Sequence, residues 1–441
     1  MLKTWTLILL LIQRTFTNSL PILCAFSHSS ALCLSVPPPC MKTRQGAALR
    51  QRLLFAQNSM ILPRILAVNP LLRTPSHAPI PRRLCAGALH HFHAQGAGQA
   101  ASGTRGLVTD SAMSPYAQKD ETEGVFKLFY NDIYHVELPA NHRFPMGKYK
   151  LVRESIQAHT QAATNIELEP SPLVRSADLR TTHCPEYIKR FLCNMLTPRE
   201  NRNIGFPWSP ASVKRALSSV GGTVAAAHAV CGGQHQFSGH IAGGTHHAFY
   251  DYGEGFCVFS DIAVACNVVL RDYPEVERIL IIDCDVHQGN GNAVLFAEDP
   301  RVTTFSMQCN GNYFSERQAS DFDVDLPVGC TDQEYLGELE IWLPRMMAYS
   351  RPQIIFYQAG VDPLIHDKMG KCALSREGLQ ARNAKVYEAA MQANCRVVVT
   401  MGGGYPKDVT ETSREYAAVV NAHTDVYIQA AQAAKTAAGA V

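Results

Sequence analysis

Residues 278–291 read Arg-Ile-Leu-Ile-Ile-Asp-Cys-Asp-Val-His-Gln-Gly-Asn-Gly. Four β-favouring apolar residues, Ile279 to Ile282, run directly into polar residues at every second position, Asp283, Asp285 and His287. A short continuous apolar run ending in a glycine-rich turn is the pattern of a strand buried on both faces, as in a parallel sheet. In extended chain, residues two apart point the same way, so the three polar side chains can converge. Two carboxylates and an imidazole together suit a borderline divalent metal such as zinc. The same residues also suit a plain strand end with turn-forming Asp and Gly, and the rest of the chain has to decide between the two readings.

Two more apolar runs end in a similar way. Ile354-Ile355-Phe356-Tyr357 leads to Gly360-Val361-Asp362, and Val397-Val398-Val399 leads to Gly402-Gly403-Gly404-Tyr405. Residues 125–130 and 302–307 are further strand candidates. Helix signals alternate with them. Residues 150–159 form one segment, and Pro210 behind Ser209 as N-cap starts a helix over 210–229, whose paired Gly221-Gly222 marks close packing. Thr331-Asp332-Gln333-Glu334 has the form of a capping box for a helix to about residue 350. Ser375 caps a helix to about residue 394, and Thr412-Ser413-Arg414-Glu415 is a second capping-box candidate for a C-terminal helix to about residue 436. Alternating strands and helices predict an α/β fold with a parallel sheet covered on both faces.

Ligands of such sheets bind at the carboxyl ends of the strands, so these strand ends should share a crevice. Asp362 then completes a three-ligand set with Asp285 and His287, and the remaining position stays open for water or substrate, as in catalytic rather than structural zinc sites. A fourth segment, Gly243-Gly244-Thr245-His246-His247, supplies two imidazoles, whose ordinary pKa suits a general base and a general acid. Gly255-Phe256-Cys257 and an apolar helical stretch follow it, which places the pair inside the fold.

The net charge of +2 over 441 residues hides an asymmetry. No Asp or Glu precedes Asp110, whereas eleven Lys or Arg do, leaving 29 basic against 38 acidic residues in the remainder, a net of −9. That domain has no bulk attraction for nucleic acid, and no direct nucleic-acid binding is expected. Residues 1–110 read as a basic, acid-free leader, 111–123 as a polar linker and 124–438 as the catalytic domain. The leader opens with an apolar stretch, residues 5–12, flanked by Lys3 and Arg14, too short to span a bilayer but suited to a signal segment. Followed by a transit-like stretch, it predicts delivery to an organelle, a plastid ahead of a mitochondrion. The competing reading is a disordered basic extension or a wrongly joined upstream stretch, with the protein then nuclear or cytosolic. The mature domain is not expected to be membrane-embedded. Fourteen scattered cysteines without a CxxC pair read as reduced thiols.

The segments GGTHHAFYDYGEGFCVFSDIAVA, IIDCDVHQGNG, YQAGVDPL and GGGY, in this order, resemble the arginase/deacetylase superfamily and, within it, the zinc-dependent histone deacetylases. HRFPMGKY, IGFPWSPASVKRALSSVGGT and Gln288 are similar to the class IV branch and its bacterial relatives. The resemblance covers about residues 125–435 and implies a three-layer sandwich with a central parallel sheet. It implies zinc held by Asp285, His287 and Asp362, protons handled by His246 and His247, and Asp283 orienting one imidazole from behind. Asn290 falls where many members carry a second aspartate; a neutral amide raises the pKa of its imidazole less. Tyr405 would donate to the developing oxyanion, and Gly255, Phe256, Tyr313 and Gly403 would line the substrate channel. Main-chain groups around Asp283, Asp285 and His287, with Ser306, match a structural potassium site in relatives.

The function this implies is removal of acetyl or longer acyl groups from protein lysines. One departure bears on it: relatives active on histones carry an acidic rim residue near where this chain has Phe206-Pro207-Trp208. Its lack keeps a small acylated amine, such as an acetylpolyamine, as the alternative substrate. A non-catalytic scaffold and a binuclear manganese hydrolase are the remaining alternatives. Retention of the ligands, both histidines and Tyr405 argues against the first, and a single Asp-x-His cluster argues against the second.

Overall fold

The computed structural model describes residues 126–139, 142–160, 165–233, 235–312 and 315–439. The expected leader and linker, and Tyr313 of the expected channel, lie outside the described residues. The eight strands are β1 (Phe126–Tyr130), β2 (Ile166–Pro170), β3 (Phe237–Ile241), β4 (Ile279–Asp283), β5 (Val302–Cys309), β6 (Phe322–Leu326), β7 (Ile354–Gln358) and β8 (Arg396–Thr400). They form one sheet in the order β2-β1-β3-β8-β7-β4-β5-β6, and every pairing is parallel.

The run that opens the sequence reading is β4, next to β7 on one side and β5 on the other. Its side chains alternate between two cores. Leu280 and Ile282 join one cluster, and Ile279 and Ile281 join the other. All four are at most 1% exposed, each worth about 1.5–3 kcal/mol of burial, which is why the strand is apolar at consecutive positions.

The first face carries α1 (Lys148–Thr160), α8 (Asp332–Ser350), α9 (Arg376–Gln392) and α10 (Arg414–Ala438); the second carries α5 (Pro210–Cys231) and α6 (Asp261–Asp272). Shorter helices are α2 (Ser176–Leu179), α3 (Pro185–Leu192), α4 (Pro198–Ile204) and α7 (Asn290–Leu295). This is the expected three-layer α/β sandwich. No helix among the described residues is long and apolar enough to cross a membrane.

Ser209 caps α5, accepting from Ser212 N at 3.0 Å behind Pro210 at the first helical position. The paired glycines of α5 do mark close approach: a Cβ on Gly221 would lie 2.0 Å from Pro172 O, and one on Gly222 would lie 2.3 Å from His240 Nε2. At α8, Glu334 accepts from Thr331 N at 2.8 Å. The start of α10 corrects the expectation by one residue. Ser413, not Thr412, is the N-cap and accepts from Tyr416 N at 3.1 Å, so Glu415 is not placed to close a capping box. The helix expected from residue 150 begins at Lys148.

Candidate active site

In the sheet order, β3, β8, β7 and β4 are consecutive, and the four motif segments leave their carboxyl ends side by side. Backbone bonds carry the pairing past the strands: Met401 N donates to Ala242 O at 2.9 Å, Ala359 N to Thr400 O at 3.0 Å, Val361 N to Gly403 O at 2.9 Å and Cys284 N to Gln358 O at 3.1 Å. The glycines permit this approach. A Cβ on Gly244 would lie 2.6 Å from Gly402 Cα, and one on Gly402 would lie 2.8 Å from Gly360 Cα.

Asp285, His287 and Asp362 are brought together, with one ligand atom from each lying within 4.8 Å of the others, and all three are buried. Among the described residues this is the one His, Cys, Asp or Glu group with such spacing. Three backbone N–H groups hold the carboxylates. Gly403 N donates to Asp285 Oδ2 at 2.8 Å, His287 N to Asp285 Oδ1 at 3.0 Å and Val286 N to Asp362 Oδ1 at 3.0 Å. Asp362 Oδ2, although buried, accepts no hydrogen bond. It faces His287 Nδ1 at 3.3 Å. A buried carboxylate oxygen without a donor is costly unless a cation meets it, and one imidazole with two carboxylates suits zinc. The donor set therefore fits the ion.

Electrostatics agrees. Burial alone would depress His287, yet the carboxylates of Asp285 and Asp362 beside its ring hold its pKa at about 10, so a binding cation must displace a proton there. Burial, then the charge of Asp285, pushes Asp362 well above the ordinary carboxylate range. Both effects are the cost of gathering like charges, and a divalent ion would relieve it.

The histidine pair stands beside this cluster, with ring centroids 3.9 Å apart. His246 Nδ1 lies 2.7 Å from Asp283 Oδ2 and His247 Nδ1 lies 2.7 Å from Asn290 Oδ1. These different partners drive the two imidazoles apart. Burial depresses His246, but the charges of Asp283 and Asp285 outweigh it and raise its pKa. Burial and then the charges of His246 and His287 push His247 well below its ordinary value, and the Asn290 hydrogen bond offsets little. Side-by-side groups split in this way are suited to hold a proton on one and accept a proton on the other.

Tyr405 closes the far wall, where its ring lies 6.0 Å from that of Phe256 and 6.1 Å from that of Phe144. Burial, then the charges of Asp285 and Asp362, raises its pKa well above 10, so the hydroxyl keeps its proton and serves as a donor. The cleft over the cluster is lined by Gly255, Phe256, Gly403 and Tyr405 from the expected set, together with Phe206 and Trp208. Phe206 interlocks with Phe144 and Phe256 at ring-centroid distances of 4.9 and 5.3 Å. The channel is therefore aromatic, fit for an aliphatic stem. Gly403 lies against the carboxylates of Asp285 and Asp362 as well as along the cleft. Ser306, of the expected potassium site, accepts from Gly289 N at 3.2 Å.

Several supporting residues are not evident from sequence. Asp261 holds the histidine loop, accepting from Thr245 N at 2.7 Å and Gly244 N at 3.1 Å. Asp367 accepts from Tyr405 N as well as from Met369 N and Gly370 N. Lys148, fully buried, donates to Gly404 O at 2.9 Å beneath the Tyr405 ring, and burial lowers its pKa to about 8. Arg382, also fully buried, donates to Gly360 O at 2.6 Å. Asp261 directly follows the helix cap Ser260, and Lys148 lies in the HRFPMGKY segment; nothing local marks Asp367 or Arg382.

The family profile of the histone deacetylase domain matches residues 142–423, nearly all of the described chain. An uncharacterized protein of Picosynechococcus sp. is 37% identical over 302 residues, which is 68% of this chain and 99% of that protein. Histone deacetylase 2 of Arabidopsis thaliana is 33% identical over 191 residues, 43% of this chain and 49% of its own length. A histone deacetylase-like amidohydrolase of Pseudomonas aeruginosa is 28% identical over 256 residues, 54% of this chain and 66% of its own.

Proposed function

The chain belongs to the histone deacetylase family, in the arginase/deacetylase superfamily, and from that premise we propose a zinc-dependent amidohydrolase that removes acetyl or longer acyl groups from protein lysines. The observation that carries it is the meeting of the Asp285–His287–Asp362 group, the His246–His247 pair and Tyr405 at the floor of one aromatic cleft. Asn290 and the HRFPMGKY segment support a place in the class IV-like branch.

Asp285, His287 and Asp362 would hold zinc, which when bound would supply a Lewis acid for lowering the pKa of water and polarising an acyl carbonyl. The chain's own groups do the rest. His247, kept neutral, takes the proton of the attacking water at the ring nitrogen not turned to Asn290. His246, whose proton affinity Asp283 raises, donates to the departing amine. Tyr405 gives its hydroxyl hydrogen bond to the oxyanion as charge develops, a contribution of order 10²–10³ in rate. Phe256 and Phe206 flank the methylenes of the acylated amine and exclude water. A structural potassium ion near Ser306 and the backbone after Asp283 belongs to the same proposal.

The alternative substrate, a small acylated amine, is favoured by Phe206-Pro207-Trp208 near the place of the acidic rim residue, because the Phe206 ring, packed against Phe144 and Phe256, offers no charge to a peptide backbone. Purified protein assayed with acyl-lysine peptides and acylpolyamines over a series of chain lengths decides between them. Hydrolysis of peptides lost on chelation and restored by zinc is the expected result; hydrolysis of polyamines alone selects the second reading, and no hydrolysis of either sinks both. The composition of residues 1–110 supports organelle import, plastid ahead of mitochondrion. A diffuse signal from a fluorescent fusion of residues 1–120 would exclude it.

A further inference from the structure

The side chain of Asn290 meets more than His247. Oδ1 lies 2.7 Å from His247 Nδ1 and accepts from Gly291 N at 3.0 Å, while Nδ2 donates to Glu254 Oε1 at 2.9 Å. The backbone N–H of Gly291 can only donate, so the amide oxygen lies on the side of Gly291 and His247 and the amino end faces Glu254. With an acceptor opposite it, Nδ1 of His247 carries the ring proton and Nε2 is the unprotonated, basic nitrogen.

The position of Glu254 is built rather than incidental. It precedes two consecutive residues in the left-handed region, Gly255 at φ 57° and Phe256 at φ 68°. For phenylalanine that conformation is strained and persists only where neighbours enforce it. Here Gly255 N donates to Asn203 O at 3.0 Å and Phe256 N to Ile204 O at 2.8 Å. The same turn brings Phe256 to the channel wall and Glu254 to the amide of Asn290.

The geometry points to Glu254 as a positioning residue for His247: with Asn290 it forms a carboxylate–amide–imidazole chain in which the negative charge stands one group further from the ring than a directly bonded aspartate would place it. The inference rests on the hydrolase reading above. It explains how a neutral amide occupies this place without losing the tautomer control of a carboxylate. The Gly291 N–H also anchors Oδ1, so what Glu254 adds is the fixed orientation of the far end and a charge that polarises the amide.

The chain predicts an exchange of roles. Glu254→Ala should lower kcat roughly tenfold, as loss of an orienting partner does, with KM and bound zinc near parental values, and Glu254→Gln, which keeps an acceptor, should recover part of it. Asn290→Asp should be damaged because it sets two carboxylates at hydrogen-bond distance, and the double variant N290D/E254Q should recover, since the glutamine then donates to the new aspartate. Ring ¹⁵N shifts of His247, recorded without substrate, should report a protonated Nδ1 in the parent and a mixture in Glu254→Ala. Parental kcat and ring shifts in Glu254→Ala, or no rescue of Asn290→Asp by Glu254→Gln, would overturn the inference. A parent that hydrolyses no acylated amine overturns instead the hydrolase reading, and the ring shifts still decide the tautomer.

Discussion

Replacing Gly403 by alanine tests how the metal cluster is held. Gly402 and Gly404 need glycine for conformation, with φ of 64° and 152°, but Gly403 is not among the positive-φ residues, so alanine is free to adopt its backbone. What opposes the methyl group is the site itself. A Cβ at this position would lie 2.2 Å from Asp362 Oδ2 and 2.7 Å from Asp285 Oδ2. Ordinary contact needs about 3.5 Å, so the Asp362 carboxylate must retreat by roughly 1 Å. Metal ligation tolerates only about 0.2 Å. The backbone cannot yield instead without loosening the bonds from Gly403 N to Asp285 and from Val361 N to Gly403 O. Zinc affinity should therefore fall by at least the ~10–100-fold seen when support behind a ligand is lost, about 1.4–2.8 kcal/mol. Competition against a fluorescent chelator measures the affinity, and circular dichroism verifies folding. Gly337→Ala is the control: beyond the helix's own backbone nothing lies within 4 Å of the added methyl, and inside α8 alanine is favoured by up to ~1 kcal/mol. A Gly403→Ala protein that binds zinc as tightly as its parent would refute the assignment of Asp285 and Asp362 as ligands.

Tyr405→Phe should lower kcat by about 10²–10³ with zinc content and melting temperature unchanged; a loss below tenfold would remove the tyrosine from the oxyanion role. Because His287 holds its proton up to a pKa of about 10, zinc binding to the metal-free protein releases that proton, so apparent affinity should strengthen as pH rises, by up to about tenfold per unit. Calorimetry in buffers of different ionisation enthalpy counts the proton, and a flat profile between pH about 6 and about 8 would show that His287 is not a ligand. Asp283→Asn should lower the proton affinity of His246, since the charge of Asp283 opposes the burial that depresses it; the imidazole should then titrate at lower pH by NMR, while zinc remains bound.

The fold is legible where strands are apolar throughout. Residues 279–282, 354–357 and 397–399 face two helical layers at once and advertise it in every position. The strand that carries the histidine loop gives no such signal, for the opposite reason. β3 reads Phe-Ser-Gly-His-Ile, and its polar side chains are satisfied inside the core, Ser238 Oγ donating to Lys127 O at 2.7 Å and His240 Nδ1 lying 3.0 Å from Thr223 Oγ1. A hydropathy pattern cannot see partners contributed from other elements. The site divides along the same line. Ligands and proton-handling groups sit in glycine-marked strand ends and are visible as short motifs, whereas Asp261, Asp367 and Glu254 act on those groups from up to 38 residues away in sequence.

Asn290 lies on that dividing line. Taken by itself in the motif, the amide looks like a weakened version of the aspartate found in many relatives, and an imidazole beside it would be expected to lose basicity. The structure supplies a carboxylate at 2.9 Å on the amide's other side. Charge at this place is thus not deleted but moved outward, beyond a group that transmits orientation well and charge less. His246, in direct contact with Asp283, is raised, and His247, reached through the amide, is not. The asymmetry that lets one imidazole hold a proton while the other accepts one therefore rests on Asp283 and Asp285 at His246 and on burial and the neighbouring imidazoles at His247, where the amide of Asn290 offsets little of it.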